Sequence, residues 1–95
     1  AYANRGRAHL KQGNLSSAAA DYTRAVGLDP NDAMAYYYGA CVYAVSGDAE
    51  QACDWLAQAI ELDSSFWDSA RTEPDFDSIR DASCFQSLVT EKTMP

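Results

Sequence analysis

AYANRGRAHLKQGNLSSAAADYTRAVGLD at residues 1–29 and AYYYGACVYAVSGDAEQACDWLAQAIELD at residues 35–63 lie in register. In that register Ala1, Tyr2, Gly13, Ala18, Ala25, Leu28 and Asp29 fall on Ala35, Tyr36, Gly47, Ala52, Ala59, Leu62 and Asp63, each pair 34 positions apart. A fixed period of this length marks one supersecondary unit used twice. Such a unit holds two short helices, and its apolar face is buried only when a neighbour stacks on it.

Apolar residues at helical spacing place the helices. Residues 1–12 form the first, and Gly13-Asn14 breaks it. Ala18, Ala19, Tyr22, Ala25 and Val26 stripe a second over residues 15–26, with Asn14 as its expected N-cap. Leu28-Asp29-Pro30 turns the chain, because Pro30 moves Asp29 out of helical geometry. A third helix covers residues 33–45 and a fourth residues 49–61, capped by Asp32 and Asp48. Of Tyr36-Tyr37-Tyr38, one ring faces the core and the next two pass round the helix. After Phe66 the period fails. Residues 66–72 give about two helical turns, Pro74 opens a short helix toward Arg80, and Cys84, Phe85, Leu88 and Val89 stripe a last helix. Residues 91–95 read as a frayed tail. The divisions are thus a first repeat at 1–32, a second at 33–65, a degenerate closing unit at 66–90 and the tail, all in one domain.

Ninety-five residues with 47% hydrophobic content make one small all-α domain, without an apolar run long enough to span a bilayer. The chain lacks an initiator Met and starts inside a helical pattern, which reads as a processed or excised piece. The net charge of −7 is unevenly spread. Arg5, Arg7, Lys11 and Arg24 face only Asp21 up to residue 24. Residues 25–70 hold Asp29, Asp32, Asp48, Glu50, Asp54, Glu61, Asp63 and Asp68 without a Lys or Arg. This balance disfavours a nucleic-acid partner, which needs a broad basic surface; an acidic body attracts basic partners and repels anionic membranes, or simply favours solubility.

Cys41, Cys53 and Cys84 are odd in number and widely spaced, and His9 is the only imidazole. That argues against a zinc site, and no metal or cofactor is expected. Cys41 and Cys53 sit among apolar neighbours and read as buried free thiols, which suits a reducing compartment.

The repeat resembles the tetratricopeptide repeat. The likeness covers residues 1–65. An early aromatic is matched by Tyr2 and Tyr36, and a small residue at the helix crossing by Gly6 and Ala40. The interhelix Gly is matched by Gly13 and Gly47, and the small second-helix residues by Ala18, Ala25, Ala52 and Ala59. A larger apolar residue between them is Tyr22 or Leu56, and Leu28-Asp29-Pro30 closes the unit. Arg5 and Gly39 stand where the family usually has Leu, and His9 replaces a usual Tyr. Residues 66–90 resemble a shortened unit that closes some such arrays.

The resemblance implies a right-handed superhelix that binds a peptide or partner protein on a concave face and does no chemistry. The groove positions it implies are Ala3, Arg7, Leu10 and Lys11, then Met34, Tyr37, Cys41 and Val45. Asn4 sits near the place where peptide-clamping relatives hold a backbone or terminal carboxylate, and Tyr37 and Tyr38 offer flat area with a polar tip. Arg7 and Lys11 would hold an acidic group. The alternative is a structural end of a longer array, or a self-association element using an apolar edge at Tyr2, Gly6 and Ala8. Catalysis is not expected: His9 reads as a satisfied core residue, and nothing in the sequence orients it toward Cys41. Asp75 and Asp77 lack the Gly and terminal Glu of a calcium loop and read as solvated caps.

Overall fold

The computed structural model describes residues 2–90, with side chains from Asn4 to Val89. The tail at 91–95 and the side chains of Tyr2 and Ala3 lie outside the described residues. The elements are α1 Tyr2–Gln12, α2 Leu15–Leu28, α3 Ala33–Val45, α4 Ala49–Leu62, α5 Ser65–Thr72, a 3-10 segment Pro74–Ile79 and α6 Ser83–Thr90. No strand occurs among the described residues, as expected of an all-α array.

Local chemistry sets the ends of these helices. Gly13 and Gly47 take φ of 81° and 85°, the left-handed geometry that glycine adopts without strain. Each lets the next amide reach back to a carbonyl five residues earlier, Asn14 to His9 at 2.8 Å and Asp48 to Tyr43 at 2.9 Å. These bonds satisfy carbonyls that a helix end leaves open. The Asp32 carboxylate accepts the Ala35 amide and that of Asp48 accepts the Gln51 amide, both at 3.1 Å. A cap of this kind contributes about 1 kcal/mol. Asn14 is not the cap expected of it: its side chain makes no cap bond and donates instead to Gln12 at 3.2 Å.

Within each repeat the two helices meet through matched volumes. In the first, Gly6 lies under the Tyr22 ring, where an added Cβ would come to 2.9 Å from Cε2. In the second, Ala40 and Leu56 hold the equivalent places and both are fully buried. One position earlier, Arg5 donates to Asp21 through Nε at 3.0 Å and Nη2 at 2.7 Å. The equivalents in the second repeat are Gly39 and Trp55, and a Cβ on Gly39 would fall 2.3 Å from the indole. The missing Leu at Arg5 and Gly39 therefore does not loosen the packing. An ion pair fills the site once and a Trp against bare backbone fills it the second time.

The α1–α2 hairpin stacks on α3 through α2, and α3 packs lengthwise on α4. The 3-10 segment covers a further side of α3, and α6 lies on α4. This explains why the sequence of α3 is apolar almost all round: a helix enclosed on several sides has no polar stripe. Tyr37, Gly39, Ala40, Cys41, Val42 and Ala44 are all buried. Tyr37 is the inward ring of its triplet. It stacks on Phe66 at 4.6 Å and meets Phe76 edge-on at 5.8 Å. Tyr36 and Tyr38 are half-buried, with Tyr36 against Trp55 and Tyr38 against Tyr22.

The closing unit is fixed by polar contacts as well. Trp67 Nε1 donates to the Leu88 carbonyl at 3.0 Å. The Arg80 guanidinium donates to the carbonyls of Arg71 at 2.9 Å and Glu73 at 2.7 Å, and pairs with Asp77. A disulfide joins Cys53 on α4 to Cys84 on α6, with Cα atoms 6.1 Å apart. This corrects the expectation that Cys53 is a free thiol; only Cys41 is free. The spacing of the cysteines hid the pair, since the two are 31 residues apart and meet only when α6 folds back. Disulfides persist mainly in oxidising surroundings, so Cys53 lends no support to a reducing compartment. A second correction concerns the apolar edge at α1: Gly6 is buried beneath Tyr22 and is no part of an open edge.

Gly39→Ala drives a methyl into Trp55 and should destabilise, since overpacking costs about 1–3 kcal/mol against a propensity gain of at most ~1. Gly27→Ala, exposed on α2 with open space at its Cβ, should stabilise by about 0.5 kcal/mol. Urea titration of both variants reads the opposite signs. Thiol labelling should find none reactive in the native protein, one in denaturant, and three after denaturation with reductant. Loss of the cross-link should cost about 2–4 kcal/mol.

Candidate functional site

A cleft of about 420 Å³ opens between α1, α3 and the 3-10 segment. Arg7, Leu10 and Lys11 of α1 form one wall, and the opposite wall carries Glu73 and Asp75. Tyr38 and Val45 of α3 complete the lining. Arg7 and Lys11 share a face because they are one helical turn apart. The Arg7 guanidinium stands 4.9 Å from the centre of the Tyr38 ring, a cation–π contact that steers it over the cleft. Glu73 and Asp75 flank Pro74, which begins the 3-10 segment. The Arg80 bond to the Glu73 carbonyl holds this corner in place.

The structure therefore gathers Arg7, Lys11 and Tyr38 from the expected groove residues, with Leu10 and Val45. Ala3 lies outside the described side chains, and Asn4, Met34, Tyr37 and Cys41 are not part of the lining. Asn4 faces a separate shallow depression with Arg7, Ala8 and Lys11. Met34 is exposed on the first turn of α3. Tyr37 and Cys41 are buried behind the cleft because Phe66, Phe76 and the 3-10 segment cover that stretch of α3. Neither presents its side chain to solvent, which corrects the reading of Tyr37 as an open surface. Glu73 escaped the sequence reading, and Asp75 entered it only as a solvated cap. A pair of acids around a proline, placed just after a basic first helix, was the available signal.

Asp75 is half-buried rather than a solvated cap. Burial, followed by the nearby charges of Glu73 and Asp77, raises its carboxyl above the ordinary range. Burial also pushes the Cys41 thiol far up, with Asp75 and Glu73 adding to the effect. The Tyr37 phenol shifts upward for the same reasons, and Cys41, Glu73 and Asp75 all act on it. Its hydroxyl is buried and has no hydrogen-bond partner among the described residues. Donor atoms of Cys41, Glu73 and Asp75 lie within 4.8 Å of one another.

His9 turns toward α2, with Nε2 at 3.6 Å from Asp21. It is not the satisfied core residue expected: Nδ1 is buried without a partner among the described residues. Asp21 itself is committed to Arg5 through two bonds. Among the described residues no helix is long and apolar enough to cross a membrane.

Comparison with known families places residues 4–65 on the family model of the tetratricopeptide repeat. The matched span runs from α1 to the start of α5, so the basic wall of the cleft lies within it and the acidic wall lies beyond.

The Arg5 guanidinium holds the Asp21 carboxyl below its usual value of 3.8. A carboxylate with a depressed native pKa stabilises the fold above the unfolded value, and that contribution is lost as pH falls through the native one. Asp21→Asn should therefore lower the Tm at pH 7. Its deficit against the parent should shrink as pH drops below about 4, as read by melting curves across pH.

Proposed function

The chain belongs to the tetratricopeptide repeat family, and we propose that it is an interaction module that holds an extended segment of a partner protein in the cleft between α1 and the 3-10 segment. Repeats of this family generally mediate protein–protein interaction and are generally non-enzymatic. The observation that carries the reading is the cleft itself. It offers an aliphatic and aromatic floor at Leu10, Tyr38 and Val45, and charged walls of opposite sign. Apolar floor with a few convergent polar groups is the usual make-up of a binding site.

The basic wall would take an acidic side chain or a terminal carboxylate. Arg7 is steered by Tyr38 and Lys11 lies beside it, so two donors converge on one anion. A hydrogen bond to a charged group contributes about 1.5–3 kcal/mol. The acidic wall adds direction, since a segment entering with its acidic group toward Glu73 and Asp75 would meet like charge. A two-carboxylate clamp does not fit, because the second repeat supplies no Lys or Arg.

The test uses short labelled peptides of acidic, neutral and basic composition, read by fluorescence anisotropy at low salt. Acidic peptides should bind best. Arg7→Glu with Lys11→Glu should weaken them by about tenfold or more, since 1.4 kcal/mol is a factor of ten. Equal binding before and after charge reversal would sink the reading. Absent peptide binding, together with self-association that rises with concentration in sedimentation, would instead favour the assembly role.

A further inference from the structure

Behind the acidic wall, three oxygen- or sulfur-bearing side chains converge from two parts of the fold, with a buried tyrosine one helical turn away. Cys41 belongs to α3 and is fully buried. Glu73 and Asp75 reach over it from the closing unit, and one donor atom from each of the three lies within 4.8 Å of the others. Tyr37, one turn before Cys41 on the same helix, is 4% exposed, and its hydroxyl has no partner among the described residues. It shares a face of α3 with Cys41, and its ring meets that of Phe76, the neighbour of Asp75. The Tyr22 hydroxyl is likewise buried without a partner among the described residues, but that of Tyr37 belongs to the helix that carries the thiol. Buried polar groups are nearly always paired, and an orphan calls for an explanation such as an ion.

We propose that Cys41, Glu73 and Asp75, with the Tyr37 hydroxyl as a fourth donor, form a binding site for one divalent transition-metal ion of the Zn2+ type. The donor set argues for this class. Calcium and magnesium take shells of six or more oxygens, whereas a sulfur with a few oxygens suits a four-coordinate borderline ion. Bonds of about 2.0–2.3 Å put neighbouring tetrahedral donors about 3.3–3.7 Å apart. Closing from the present spacing needs only side-chain rotation of Glu73 and Asp75, which are half-buried and line the cleft. Among the described residues the Glu73 carboxylate accepts one long bond, from the Asp75 amide at 3.4 Å, so little opposes that rotation. The cleft gives the ion its entry path. On binding, the Cys41 S–H bond breaks, the proton leaves to water and the sulfur–metal bond forms, so no oxidant or reductant is involved. The ion would tie α3 to the closing unit.

The proposal does not depend on a peptide occupying the cleft, and its test involves none. Co2+ and Zn2+ are added in turn to the oxidised protein, whose disulfide leaves Cys41 as the one free thiol. The expected result is one Co2+ per chain with a thiolate-to-cobalt absorption band, displaced by Zn2+, and a rise in Tm with Zn2+. Cys41→Ser should lose the band. Glu73→Gln, Asp75→Asn and Tyr37→Phe should each weaken uptake by about tenfold or more with unchanged circular dichroism. Arg7→Glu with Lys11→Glu leaves all four donors in place and should keep the ion, which separates this test from that of the peptide site. No band in the parent protein, a band that survives Cys41→Ser, or full affinity in the three oxygen-donor variants would overturn the site.

Discussion

A helix that is apolar on nearly every side has to be enclosed, and α3 imposes that demand on the rest of the chain. One repeat alone could bury only the side facing α4. The first hairpin, α1–α2, covers another, and the aromatic residues of the closing unit cover a third. Each neighbour is needed because water on any of those faces would meet Tyr37, Cys41, Val42 or Ala44, all buried here. Burying an aromatic or aliphatic side chain contributes about 1.5–3 kcal/mol, so an uncovered face of α3 would forfeit several such terms.

The two hairpins reach one backbone arrangement by different side chains. Close approach of the first and second helix requires that volumes at facing positions be complementary, not that either residue be fixed. Gly6 with Tyr22 and Ala40 with Leu56 show this for apolar pairs. Arg5 with Asp21 and Gly39 with Trp55 show it across chemistries. The ion pair is the costlier solution, since it takes a carboxylate largely out of water. Its partner Arg5 stays mostly exposed and satisfies both carboxylate oxygens.

The closing unit has two tasks. It shields α3, and it sets acidic groups opposite the basic face of α1. Both depend on a short stretch of chain too irregular to hold itself. Its ties include the disulfide to α4, the Ser78 hydroxyl donating to the Ala44 carbonyl of α3, and the internal bonds of Arg80 to the carbonyls of Arg71 and Glu73 and of Trp67 to Leu88. A small core gains from such ties, because a unit of this size buries too little surface to fix itself by packing alone.

The period of 34, the glycines at the turns and the aspartate caps were enough to place the helices, because these are local or repeating features. Helix ends moved by no more than a turn, as where α2 ran on to Leu28 and α4 to Leu62. The basic wall at Arg7 and Lys11 was legible for the same reason: two residues one turn apart share a face whatever surrounds them. Tertiary structure alone decided which side of α3 stays open. Tyr37 and Cys41 lay on the expected groove face, yet the closing unit folded over them and left Tyr38 at the cleft. It also decided that Cys53 meets Cys84 and that Glu73 and Asp75 face Arg7 and Lys11. These are contacts between segments with no shared period, and their register is set by how irregular chain packs on a finished hairpin, which no local pattern encodes.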